Sequence, residues 1–232
     1  MKGFSKKLFD QIRNVVFGVE DGLISTLGVL TGIAGGTNNR AVIILSGFVI
    51  ILVEASSMAA GTFLSSKSEN QAKEKIIKEE LKRIRQNPER ERKELIEFYR
   101  QRGYSDSDID SMVSRMMANE DLLIEEMAHK EYGIVMRSDD RAKTGSRYMF
   151  LSYMVGGAIP VIPYLIFSVN VGLFFSIVLT LVGLFLLGFY KGVLTNVSRI
   201  KSGLEMLAVA ATVSAIGFII GRIVGHLIGL IN

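Results

Sequence analysis

Five stretches of this chain are long and apolar enough to cross a bilayer, and most of its charge lies between two of them. A spanning helix needs roughly 20 predominantly apolar residues, and such stretches run over 14–36, 41–64, 147–168, 171–195 and 203–231. Residues 67–147 hold 36 of the 50 Asp, Glu, Lys and Arg side chains. A soluble domain intersperses charge along its length; this segregation predicts an all-α membrane protein with one large polar insertion. The expected organisation is transmembrane helices one and two over 1–66, a helical domain over 67–146, and helices three to five over 147–232.

The insertion is electrically balanced, with 18 basic and 18 acidic side chains, so the net charge of +4 belongs to the apolar remainder. Nucleic-acid binding needs a net basic face, and nucleic acid is excluded as a partner on that ground. The lack of cysteine removes disulfides, thiolate metal sites and cysteine nucleophiles. No phosphate-binding loop, nucleophile elbow or zincin helix occurs, so neither an ATP-driven pump nor an enzyme is expected. MKGFSKKLFDQIRN is basic, yet no small-residue cleavage site follows a short apolar core, and no removable signal peptide is expected.

Basic residues also set the orientation. Lys2, Lys6, Lys7 and Arg13 precede the first span, and Lys191, Arg199 and Lys201 flank the link between the fourth and fifth. The opposite loops have Arg40 alone. The positive-inside rule then puts the N-terminus, the insertion and the 196–202 link in the cytosol, with the C-terminus outside. The short termini fit a prokaryotic plasma membrane, or a vacuolar membrane if the source is eukaryotic.

Local signals predict tight turns and helices. GGTNNR and Ser168–Val169–Asn170 are too short for anything but sharp reversals between spans. In the insertion, SENQAKEKIIKEELKRIRQ reads as helix until Asn87–Pro88 breaks it and starts another. ERERKELIEFYRQRG ends at Gly103. Ser105 with Asp108 resembles a capping box opening SDIDSMVSRMMA. Asn119 caps EDLLIEEMAHKEYG, which stops at Gly133, and residues 137–146 read as a polar linker. Most Lys and Arg of this bundle belong to solvated helix faces.

The acids inside the spans demand another account, because an ionised group at the bilayer centre costs at least about 2.5 kcal/mol. Asp21 lies within FGVEDGLIST of the first span, beside Glu20. Glu54 lies in the second, with Met58 four residues on and therefore on the same face. Two carboxylates and a thioether suit a partly dehydrated divalent transition metal, the sulfur disfavouring Mg2+ and Ca2+. Alternatively Glu54 pairs with Lys191 and Met58 simply packs; Arg222 faces the same choice between a structural partner and an ion path. Pro160 and Pro163 are expected to break or kink the third span. Gly217, Gly221, Gly225 and Gly229 recur every fourth residue, a ridge for close helix packing. In the insertion, Glu91, Glu94 and Glu97 line one face, Met127 and Glu131 another, and Glu80 closes the preceding helix. Together they suit a carboxylate–thioether pocket, or else ordinary solvated surface. Glu126 and His129 have the Glu-x-x-His spacing of di-iron bundles, but such a site needs two copies and the only other histidine, His226, is in the fifth span.

Four separated segments, in order, match one family: NVVFGVEDGLISTLGVLTGIAGG, EASSMAAGTFLSSKSE, the helical insertion ending HKEYGI, and GGAIPVIPY. Over nearly its whole length the chain resembles the vacuolar iron transporter family. The resemblance implies five transmembrane helices, a cytoplasmic three-helix metal-binding domain between helices two and three, and a homodimer in the bilayer. It also implies export of cytosolic Fe2+, and Mn2+ with it, in exchange for protons. Asp21 and Met58 then belong to the translocation path, with Glu54 beside them. Glu80, Glu91, Glu94, Met127 and Glu131 fall where the family places its cytoplasmic ligands, a site that also suits Zn2+ or Co2+. No permanently bound cofactor is implied. Two positions depart from the pattern: Arg83 stands where a further ligand Glu is expected, and Thr62 replaces an acid near the cytoplasmic mouth, for which Glu69 is a candidate substitute. The rival readings are a membrane-anchored protein that senses or buffers metal without transport, and a carrier of another cation such as Ca2+.

Overall fold

The computed structural model describes residues 11–132 and 140–227, and among them every regular element is a helix. In chain order these are α1 (Ile12–Gly36), α2 (Arg40–Gln86), α3 (Pro88–Gln101), α4 (Asp106–Met117), α5 (Glu120–Tyr132), α6 (Asp140–Ile166), α7 (Val169–Thr195) and α8 (Arg199–Leu227). Five of them, α1, α2, α6, α7 and α8, are long and apolar enough to cross a membrane. Contacts divide the chain into two units, Met1–Phe63 with Ala142–Asn232, and Leu64–Arg141.

The first unit is organised around α1, whose small residues admit a neighbour on two sides. Toward α6, a Cβ on Gly22 would stand 2.6 Å from the Tyr153 carbonyl oxygen and 2.8 Å from the Gly157 nitrogen. Toward α8, Gly28, Gly32 and Gly36 meet the ridge expected from the sequence: a Cβ on Gly217 would lie 2.5 Å from the Gly28 oxygen, and one on Gly221 would collide with the Gly32 oxygen. Two four-residue glycine ladders therefore face each other, which lets the backbones approach where lipid offers no hydrophobic drive for association. Gly229 lies outside the described residues. Larger side chains fill the remaining space, with Leu23, Ile24, Leu184, Met206 and Ala210 in one cluster and Leu30, Ile43, Ile51, Val161, Tyr164 and Val169 in another. Leu45, Val49, Leu52 and Val53 on α2 and Ile216, Ile219, Ile220 and Ile223 on α8 point outward. Such faces would be a liability in water and match hydrocarbon.

Polar backbone at the helix ends finds partners. Asn39 caps α2, its side-chain oxygen accepting from the Ala41 and Val42 amides at 3.0 and 3.3 Å. Arg40 reaches the far end of α6, donating from Nε to the Tyr164 carbonyl and from Nη2 to the Leu165 carbonyl, each at 2.6 Å. These last-turn carbonyls have no partner within the helix, and charge-assisted bonds are about twice as strong as neutral ones. Pro160 and Pro163 do not break α6, which continues through both to Ile166. The Ser176 hydroxyl donates to the Pro160 carbonyl at 2.7 Å, supporting the proline segment from α7.

In the second unit the expected start and stop signals operate. Asn87 accepts from the Arg90 amide at 3.3 Å, with Pro88 in the first turn of α3. Gly103 has φ +84, the left-handed conformation that ends α3. Ser105 accepts from the Asp108 amide at 3.3 Å, and Asn119 accepts from Asp121 and Leu122 at 3.1 and 3.3 Å. Ile84, Leu95, Tyr99, Ile109, Val113, Leu123, Ile124 and Met127 form the core. Full burial of such a side chain contributes about 1.5–3 kcal/mol. The stop expected at Gly133 lies outside the described residues.

Two boundaries differ from the sequence reading. The second apolar span and the first helix of the insertion are continuous, α2 running unbroken for 47 residues to Gln86. Hydropathy falls at Ser65, but Ser65–Gln86 contains no proline or glycine, and its Lys, Glu, Gln and Ala residues favour helix. Of the linker expected over 137–146, residues 140–146 are already helical in α6.

Candidate functional site

Asp21 sits on α1 one turn before Ser25. The Ser25 hydroxyl donates to the Asp21 backbone carbonyl at 2.6 Å and lies 2.6 Å from the hydroxyl of Tyr153 on α6. Because serine has one proton and that proton is committed to the carbonyl, Tyr153 donates to Ser25. Tyr153 is fully buried. Asp21 and Glu54, both half-buried, lie within electrostatic reach of each other, and the Tyr153 hydroxyl lies within reach of both. Three helices thus bring two carboxylates and a phenol to one neighbourhood inside the apolar unit. Met58 is half-buried one turn beyond Glu54. Like charges held close favour binding of a cation or a proton, and a thioether one turn away adds a soft donor.

Glu20 belongs elsewhere. It lines a groove between α1 and α7 together with Arg13 and Lys191. Lys191, the base weighed as a partner for Glu54, is therefore on the α7 side of α1 and makes no ion pair among the described residues. Arg222 is exposed on α8, likewise without an ion pair there.

In the second unit, Glu80 on α2 is fully buried, Glu91 on α3 is nearly so, and Met127 on α5 is fully buried. Glu80 and Glu91 each stand one turn before a core residue, Ile84 and Leu95, and Met127 belongs to the same core cluster. All three face the same interior. The Arg83 guanidinium pairs with the Glu80 carboxylate at 2.5 Å, as a carboxylate away from water requires. Glu94, half-buried, is paired with Arg90 at 3.0 Å and Lys130 at 3.5 Å. The Arg90 hydrogen bond, with Lys130 nearby, holds its carboxyl below the usual range. Glu97 is exposed and accepts from Gln101 at 3.0 Å. The side chain of Glu131 lies outside the described residues, among which no three His, Cys, Asp or Glu side chains converge on a common point.

Two minor candidates resolve simply. Tyr99 donates to Glu126 at 2.5 Å, and burial together with that bond pushes its phenol well above the ordinary range. His129 is exposed, and the Glu126 carboxylate is engaged by Tyr99. Thr62 donates back to the Met58 carbonyl at 2.8 Å, and Glu69 is exposed and paired with Lys73 at 2.5 Å.

The model of the VIT family matches residues 12–222, a range that contains every candidate residue above. The chain belongs to the VIT family. Curated relatives include vacuolar iron transporter 1 of Arabidopsis thaliana, 27% identical over 216 residues that cover 93% of this chain and 86% of that protein. Vacuolar iron transporter 1 of Oryza sativa subsp. japonica is 27% identical over 208 residues, 89% of this chain and 82% of the relative. The vacuolar iron transporter of Plasmodium falciparum is 26% identical over 222 residues, 91% and 81% of the two chains.

Within this VIT-family chain, sequence reasoning missed Ser25 and Tyr153. Ser25 carried a signal, since it follows Asp21 by four residues and shares its face. Tyr153 carried none, being 132 residues from Asp21 and brought near it by the Gly22–Gly157 approach. Arg90 was legible as an i−4 partner of Glu94; Lys130 was not.

Proposed function

We propose that this chain is a proton-coupled transporter that moves Fe2+, and Mn2+ with it, out of the cytosol across its membrane. The observation that carries this reading is the grouping of Asp21, Glu54 and Tyr153 inside the apolar unit, with Met58 one turn away. A carboxylate there can hold a metal ion or a proton but not both well: the metal's charge lowers its proton affinity, while desolvation raises it. Exchange follows if the metal arrives from one side and protons from the other. The relatives' name, iron transporter, supports Fe2+ as cargo. In this reading the second unit is a cytoplasmic metal-collecting domain that uses Glu80, Glu91, Glu94, Met127 and Glu131. The N-terminus is cytosolic and the C-terminus outside. The path runs beside the outward face of α2, where a second copy completes it as a homodimer. The membrane is a prokaryotic plasma membrane or a vacuolar one.

A liposome flux assay tests the transport reading. With metal outside and an acidic lumen, purified protein is expected to accumulate Fe2+ and Mn2+ and to alkalinise the lumen, and to pass far less Ca2+. Metal binding without flux would favour a sensor or buffer instead, and equal Ca2+ flux would remove the thioether argument.

Arg83 gives a separate test of the collecting domain. A tethered cation already neutralises Glu80, so an incoming ion must displace it. Arg83→Glu removes that competitor and adds a ligand, and is expected to tighten Mn2+ or Co2+ binding by at least about tenfold. Calorimetric titration of the full chain in detergent measures this. Unchanged affinity would show that Arg83 does not compete, whereas unchanged binding in a Glu80→Gln, Glu91→Gln double variant would remove the cluster itself.

A further inference from the structure

The groove beside Glu20 has no part in the ion path, yet its chemistry is distinctive. It encloses about 400 Å³ between the N-terminal part of α1 and the C-terminal part of α7. Arg13 and Lys191 project from the two helices, and Val16, Phe17 and Leu194 form apolar walls. Both cations are exposed and make no ion pair among the described residues. Phe17 and Leu194 are 50% and 58% exposed, so no side chain among the described residues covers the wall. Both cations stand at the end of the apolar unit that gathers its basic residues, Arg199 and Lys201 among them.

We propose that this groove binds the headgroup of a singly charged anionic phospholipid of the phosphatidylglycerol type. Two unpaired cations above an apolar wall match a phosphate attached to acyl chains. Basic pockets between transmembrane helices at the cytoplasmic face bind anionic lipid heads. Glu20 sets the sign and depth of the site. It lies seven residues beyond Arg13, about 10 Å further along the α1 axis, where its carboxylate closes the inner end against a second negative charge. Two cations against one acid leave a net positive site, which favours an anionic head over a zwitterionic one whose ammonium group offsets its phosphate. The segment preceding α1 carries Lys2, Lys6 and Lys7 against Asp10 and is mismatched in charge as an occupant. The site concerns lipid selection alone and stands whatever cargo the chain carries.

Native mass spectrometry of the full chain in neutral detergent, titrated with phosphatidylglycerol or phosphatidylcholine, tests the proposal. Phosphatidylglycerol is expected to bind with a preference of at least about fivefold, as one net interfacial positive charge supplies. An Arg13→Gln, Lys191→Gln double variant should lose that preference, whereas Glu20→Gln should strengthen phosphatidylglycerol binding. The opposite directions separate a charge site from general damage to the fold. Equal binding of the two lipids, indifference to the double variant, or weakening by Glu20→Gln would each overturn the proposal. Displacement of the lipid by millimolar inorganic phosphate would also overturn it, reassigning the groove to free phosphate. A change of oligomer mass in the double variant would assign the groove to a second copy of the chain.

Discussion

Asp21→Asn is expected to cut metal-driven proton movement in proteoliposomes by at least about 100-fold, at the upper end of what disturbed metal sites lose, while the protein stays folded. The amide keeps the size of the side chain but can neither neutralise a divalent cation nor carry a titrating proton, so both halves of the exchange fail together. The fold has little reason to change. Ser25 bonds the Asp21 backbone carbonyl, not the carboxylate, so the α1–α6 hydrogen-bond relay through Tyr153 survives. Removing one of two neighbouring like charges also relieves repulsion with Glu54. A thermal midpoint equal to or above that of the parent, together with lost flux, is the expected pair of results. Flux retained in full would take Asp21 off the path.

Gly221→Ala is expected to produce the reverse pattern, damaging the fold first and transport only in consequence. One methyl group is added, but its carbon would collide with the Gly32 carbonyl oxygen, a backbone atom that no rotamer change can move. Either α1 and α8 separate, losing contact along both glycine ladders, or the backbone bends. Overpacking of this kind costs about 1–3 kcal/mol, a large share of a marginal stability. Gly61→Ala supplies the control, since a Cβ there meets nothing within 4 Å. In detergent, the midpoint of the first variant should fall well below that of the second. Equal midpoints would mean that the ladders do not hold the two helices together.

Much of the architecture was readable residue by residue. Apolar length gave the five spans, and Asn87, Ser105 and Asn119 marked their helix starts because capping is local chemistry. Local signals failed where the decisive partner is remote or where two properties part company. The apolar run to Leu64 and the charged helix after it were read as separate segments, although hydropathy reports solvent and not backbone conformation, and α2 joins them. The ladder at Gly217, Gly221 and Gly225 was visible, but its counterpart at Gly28, Gly32 and Gly36 gains meaning only once α1 and α8 touch. At the candidate site the acids announced themselves by their cost in an apolar stretch, and Met58 by its four-residue spacing from Glu54. Tyr153 has no such cost, because an aromatic residue is ordinary in a span, and only the fold reveals that its hydroxyl sits beside them.

Arg40 bears on how the chain is made. It is synthesised 124 residues before the Tyr164 carbonyl that it will hold, so during translation it must wait as an unsatisfied cation at the end of a nascent hairpin. A charge there works against the sorting of basic segments to the other side of the membrane. Arrival of α6 cancels that difficulty, because the guanidinium is then spent on two carbonyls at the end of a proline-bearing helix. The same residue thus opposes insertion as a charge and, once α6 has docked, ties the start of the second span to the end of the third.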